Sequence, residues 1–105
     1  REPFEALEAT LASRLKRPTR LAYMELCDPL LTDTIDALAA DGAARIDILP
    51  LFFAAGRHLR EDVPAMLEDS QRQHPDCPIS LLDPVGAHPA FVEALIQIVE
   101  QQDNA

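Results

Sequence analysis

Two residues of this chain are of a type, and in a setting, that could do chemistry. Glu25 stands near the end of an otherwise apolar run, Arg20–Leu26 (RLAYMEL). A carboxylate inside such a run is costly unless it is paired or serves a function. It either holds an arginine or a helix N-terminus, or it belongs to a site. His58 lies in Leu51–Leu59 (LFFAAGRHL), bracketed by Arg57 and Arg60 and followed by Glu61 and Asp62. A histidine there is an ordinary surface or packing residue, or a group that works near neutral pH. His74 and His88 each precede a proline and read as helix-boundary residues. No G-x-S-x-G elbow, P-loop or G-x-G-x-x-G fingerprint is present, and the chain has only 3 glycines. A metal site made from these residues alone is under-supplied, because no familiar paired ligand spacing surrounds His58.

The elements that would position these residues alternate. Phe4, Leu7, Leu11 and Leu15 recur at helical spacing over Pro3–Leu15, with acids early and Arg14 and Lys16 late, and Pro18 stops the helix. Arg20–Leu26 reads as a short buried strand. Asp28 and Pro29 then form an N-cap and first helical residue, for a helix carrying Leu30, Leu31, Ile35 and Leu38 and closed by Gly42. Arg45–Leu49 is the next strand, ended by Pro50, and Ile46, Ile48 and Leu49 are expected to be buried in it. A third helix is expected to begin near Asp62 and Val63, since proline at 64 is tolerated only in a first turn, and to end near Gln73. Pro78–Leu82 is the third strand. Phe91, Val92, Leu95, Ile96 and Val99 make the core face of a last helix. This alternation predicts an α/β fold, a doubly wound parallel sheet with helices on both faces. Such folds open on a central strand, so the first strand is expected upstream of residue 1. Sites in open parallel sheets form beyond the strand C-termini, where Glu25, the Pro50–Pro64 segment and Asp83–Gly86 all fall.

The 105 residues fit one domain, 1–105, and 48% hydrophobic content is enough for a core without staples. Cys27 and Cys77, fifty residues apart, suit a reducing compartment and read as small core hydrophobes. No apolar run approaches the ~20 residues that span a bilayer, and no signal-peptide pattern opens the chain. The expectation is a cytoplasmic protein with no membrane partner. A net charge of −9 argues against nucleic acid. Arg14, Lys16, Arg17 and Arg20 form one basic cluster that suits a helix C-terminus.

The segment Pro50–Pro64 (PLFFAAGRHLREDVP) resembles the signature of the sirohydrochlorin chelatase family of class II chelatases. There, a strand ending in proline runs into an apolar loop, then G-x-H, then an acid and a proline opening a helix. Glu25-Leu26-Cys27-Asp28-Pro29 resembles that family's strand-end glutamate with its following proline, and Gly42–Pro50 its glycine turn and isoleucine-rich strand. The similarity spans essentially the whole chain.

The resemblance implies a chelatase-like half of a doubly wound fold. It also implies insertion of a divalent metal into a sirohydrochlorin-type tetrapyrrole, in cobalamin or sirohaem biosynthesis, without an organic cofactor. The metal is a substrate: Co²⁺, with Ni²⁺ or Fe²⁺ as alternatives. Short, CbiX-type members pair as homodimers, which agrees with the need of a flat macrocycle for two walls. By motif match, His58 would be the metal-binding and catalytic histidine and Glu25 its acidic partner, in the catalytic and the metal role alike. Imidazole suits these metals and can accept a proton, and a carboxylate could complete the ion's shell or relay protons. Arg57 and Arg60 could meet substrate carboxylates bidentately, or merely be solvated; the overall −9 repels a polycarboxylate unless the cleft is locally positive. Family members open with a strand and a histidine-glycine-serine motif, which is expected upstream of Arg1. A non-catalytic tetrapyrrole or metal carrier of the same fold is the alternative. A receiver-like signalling domain would need a strand-end lysine, and Lys16 is the only lysine.

Overall fold

The structure is a computed structural model that describes residues 2–24, 28–54 and 56–103, with the side chains of 2, 3, 58 and 59 outside the description. The chain divides into two compact units, 1–42 and 43–105.

In the first unit, α1 (Glu2–Leu15) forms where its leucines recur at helical spacing. It ends on Lys16 in the left-handed region at φ 55, the conformation that caps a helix C-terminus, at a cost of roughly 1–2 kcal/mol for a residue with a Cβ. The Arg20–Leu26 strand is replaced, in its described part, by a single parallel bridge of Tyr23 with Leu30. The Tyr23 N–H donates to the Pro29 carbonyl (2.9 Å) and the Leu31 N–H donates to the Tyr23 carbonyl (2.8 Å). Both backbone groups of Tyr23 are therefore satisfied by the chain just beyond it instead of by a neighbouring strand. Helix α2 (Leu31–Ala40) starts later than Asp28-Pro29 suggests, because Leu30 is its N-cap. The Leu30 carbonyl receives both the Thr34 N–H (2.9 Å) and the Thr34 hydroxyl (2.8 Å). Gly42 follows its C-cap at φ 91, as its position implies. Ile35 is fully buried.

In the second unit, β1 (Ile46–Ile48) and β2 (Ile79–Leu81) pair in parallel, Ile46 opposite Ile79 and Ile48 opposite Leu81. Two backbone bonds extend the pairing: Ile46 N–H to the Pro78 carbonyl (2.9 Å) and Leu82 N–H to the Ile48 carbonyl (2.8 Å). Helix α3 (Arg57–Gln73) connects the strands, as parallel pairing requires. A 3₁₀ turn (Val85–Ala87) and α4 (Pro89–Asp103) follow β2. Val63, Leu67 and Ser70, spaced 4 and 3 apart on α3, are buried, as are Ile46 and Cys77.

The fold is α/β, with four α-helices and a small parallel sheet among the described residues. The described strands number two, so the doubly wound sheet with helices on both faces is not seen among them. That narrowness has consequences for burial. Ile48 is half-buried and Leu49, beyond the last paired residue, is 44% exposed, against the expectation that both lie in the core. On α4, Phe91 is half-buried but Val92, Leu95, Ile96 and Val99 are exposed, so the expected core face is largely uncovered. The apolar face of α1 is exposed in the same way.

Candidate functional site

The segment that leaves β1 carries the readable chemistry. Gly56 is the N-cap of α3, in extended conformation and with no side-chain cap, and its carbonyl accepts the first intrahelical bond, from the Arg60 N–H (3.1 Å). The loop expected around His58 is thus the first turn of a helix, and His58 is the second residue of α3. The expected start near Asp62 is overturned, and Pro64 lies in the helix interior. An interior proline has no N–H to offer the carbonyl four residues back and costs about 3 kcal/mol. The long run of residues supporting α3 outweighs that local preference, with Val63, Leu67 and Ser70 buried on one face.

Helix geometry leaves the N–H groups of the first turn without intrahelical partners. Such a terminus carries partial positive charge and favours acids. This one has none in its first turn, and instead begins with Arg57, with Arg60 three residues on. Arg57 is 85% exposed at its side chain and its Nε donates to Glu61 Oε2 (3.2 Å). Arg60 is exposed and has no carboxylate partner among the described residues. Cations at the positive end of a helix destabilise it by a few tenths of a kcal/mol to ~1 kcal/mol. They also make that end receptive to carboxylates.

The structure therefore places His58, Arg57 and Arg60 on one turn. The His58 side chain and the whole of Glu25 lie outside the described residues, so their pairing rests on the sequence motif. His74 caps the C-terminus of α3. His88 stands between the 3₁₀ turn and α4, with its Nε2 2.7 Å from the Asp83 carbonyl. Against a carbonyl, that nitrogen must be the donor. Among the described residues, no three of His, Cys, Asp and Glu are grouped to hold a metal ion. An open cleft of about 230 Å³ lies in the first unit, lined by Glu8, Arg20, Asp33 and Asp41 among others, and includes none of the predicted site residues. Glu8 is occupied there, accepting the Leu21 N–H at 2.6 Å. No described helix is long and apolar enough to cross a membrane.

Two residues escaped the sequence reading. A Cβ at Gly86 would stand 1.8 Å from the Phe53 carbonyl oxygen, so only glycine fits there. Phe53 itself is 77% exposed. The signals were a glycine in a strand-end loop and two adjacent phenylalanines in a segment that neither alternates nor shows helical spacing.

The structure gives a parallel β–α–β crossover with G-x-H at the start of its helix, and comparison with known proteins supplies its class. The model of the CbiX family matches residues 1–102. The sirohydrochlorin cobaltochelatase of Sulfurisphaera tokodaii is 32% identical over 79 residues, 75% of this chain and 62% of that protein. That of Saccharolobus islandicus is 28% identical over 102 residues, 91% of this chain and 80% of the relative. Among solved structures, a CbiX protein of Marinobacter aquaeolei VT8, described as a cobalamin (vitamin B12) biosynthesis protein, superposes with a TM-score of 0.78 at 31% identity, covering 98% of this chain and 84% of that one. The chain belongs to the CbiX family.

Proposed function

We propose that this chain is a metal chelatase, a lyase that inserts Co²⁺ into sirohydrochlorin or a closely related tetrapyrrole, acting as one chelatase-like domain in the cytoplasm. Support comes from family membership over residues 1–102 and from relatives named sirohydrochlorin cobaltochelatase. The observation that carries it to this chain is the first turn of α3: a G-x-H motif on a helix end with no side-chain cap, bearing Arg57 and Arg60. On a protein of net charge −9, Arg60, with no carboxylate partner among the described residues, supports a local attraction for a substrate carboxylate.

In the reaction two pyrrole N–H protons leave and the metal takes their place on the ring nitrogens. His58 would hold the incoming ion or take a proton; a neutral imidazole does either. Glu25 would complete the ion's shell or pass protons to solvent. Arg60 would meet a substrate carboxylate bidentately, and Arg57, already oriented by Glu61, would add a second cation. The ion must be held loosely, because it is handed on. Cobalt is favoured over nickel and iron by the relatives' names alone. A flat macrocycle needs two walls, and the uncovered apolar surface supports a homodimer that supplies the second.

Turnover decides between a chelatase and a carrier of the same fold. Anaerobic mixing of sirohydrochlorin and Co²⁺ with the chain, followed by absorbance, is expected to show insertion well above the spontaneous rate and faster with Co²⁺ than with Ni²⁺ or Fe²⁺. Binding of the tetrapyrrole with no acceleration would make the protein a carrier.

A further inference from the structure

Beyond β1, residues 50–53 are fastened from one side. The Val85 N–H donates to the Pro50 carbonyl (2.9 Å) and the Gly86 N–H to the Phe52 carbonyl (3.1 Å). The absent Cβ of Gly86 lets the Phe53 carbonyl lie directly against the 3₁₀ turn. The Phe53 ring meets the ring of Phe91, on α4, with centroids 5.5 Å apart and planes tilted by 56°. Backbone and ring are thus both positioned, yet Phe53 is 77% exposed, beside the exposed Leu51 and Phe52. Fixing an aromatic ring and leaving it in water forgoes burial of a large apolar surface. That arrangement suits a ring meant to be covered by a ligand.

We propose that Phe53 is a stacking platform for the tetrapyrrole macrocycle, and that Gly86 is the positioning residue that sets it. The proposal rests on the chelatase reading and adds to it the residues that receive the substrate's apolar centre. The occupant follows from complementarity. A polycarboxylate tetrapyrrole has a flat π centre and an anionic rim. Phe53 offers an aromatic face four residues before Arg57, and Arg57 and Arg60 offer cations at the adjoining helix end. Centre and rim would thus be met by one short stretch of chain, with His58 between the two arginines.

The test titrates metal-free sirohydrochlorin, without cobalt, into the parent chain and into Phe53→Ala, Phe53→Trp and Gly86→Ala, with Kd read from fluorescence or absorbance. Phe53→Ala is expected to weaken binding roughly tenfold, the scale of a lost aromatic contact, and Phe53→Trp to restore it. Gly86→Ala should weaken binding in the same titration, and in a separate turnover assay with Co²⁺ should raise KM for sirohydrochlorin while leaving KM for Co²⁺ unchanged. Circular dichroism and sedimentation of Phe53→Ala should match the parent. If Phe53→Ala binds as tightly as an active parent, the platform is wrong while the chelatase reading stands. If its binding falls only because a dimer dissociates, the ring belongs to a protein interface and the proposal is overturned. A parent that neither binds nor turns over refutes the chelatase reading itself, and the platform with it.

Discussion

The two ends of α3 are built on opposite principles. At the C-terminal end one side chain satisfies three backbone groups: Gln71 Nε2 donates to the carbonyls of His74 (2.9 Å) and Cys77 (3.0 Å), and the Ile79 N–H donates to Gln71 Oε1 (2.8 Å). These bonds tie the helix to the turn and to the first residue of β2. Arg72 sits in the last turn, where a cation belongs. At the N-terminal end local preferences are poorly met, although glycine is itself an accepted N-cap. The cap has no side chain, the first turn has arginines in place of acids, and a proline interrupts the helix at its eighth residue. Sequences violate local rules where function asks for it. One end of α3 is tied into the fold through Gln71, and the other, on the proposed function, meets substrate at some cost to stability.

The largest effect expected from breaking this contrast is on turnover. Replacing His58 with alanine should slow cobalt insertion by about 10²–10⁴-fold, the range for loss of a catalytic acid–base group, with tetrapyrrole affinity retained. The variant's thermal midpoint should stay within a few degrees of the parent, as for a substitution outside the buried face of Val63, Leu67 and Ser70. Insertion at the parent rate would reduce His58 to an ordinary helix residue, and unfolding would make it structural. At the other end the signs reverse. Gln71→Ala strands the Ile79 N–H and the Cys77 carbonyl, while the His74 carbonyl keeps the Cys77 N–H (3.1 Å), and should cost about 2–4 kcal/mol, read from urea denaturation, while the folded fraction inserts metal normally. A loss below about 0.5 kcal/mol would show that water replaces the Gln71 contacts freely.

The same contrast governs what the sequence revealed. The β1–α3–β2 crossover was legible because it is locally encoded: isoleucines in short runs, a helical period through Val63 and Leu67, His74-Pro75 as a stop. The start of α3 was misplaced because a proline rule, sound for an isolated helix, yielded to the tertiary burial of Val63 and Leu67. The first-unit strand failed in its described part for a similar reason, since the bonds of Tyr23 to Pro29 and Leu31 depend on how the chain turns back and leave no mark on hydropathy. His58 and its arginines stood out by motif. Phe53 and Gly86 did not, because their roles arise from a contact between two strand-end loops 33 residues apart in sequence. The face of α4 has helical periodicity, but periodicity names a face without saying what covers it.

On the proposed function, the N-terminal end of α3 carries its cations for the substrate and not for the fold. The measurement that tests this claim most directly is the affinity of the Arg57→Gln/Arg60→Gln double variant for sirohydrochlorin, across a salt series, beside its thermal midpoint. Exposed arginines at the positive end of a helix stabilise it little or not at all, so the midpoint should hold or rise slightly. Each lost charge-assisted contact is worth about 1.5–3 kcal/mol, so binding should weaken by at least tenfold and lose much of its salt dependence. Unchanged affinity with a lowered midpoint would contradict the claim: the arginines would then belong to the fold.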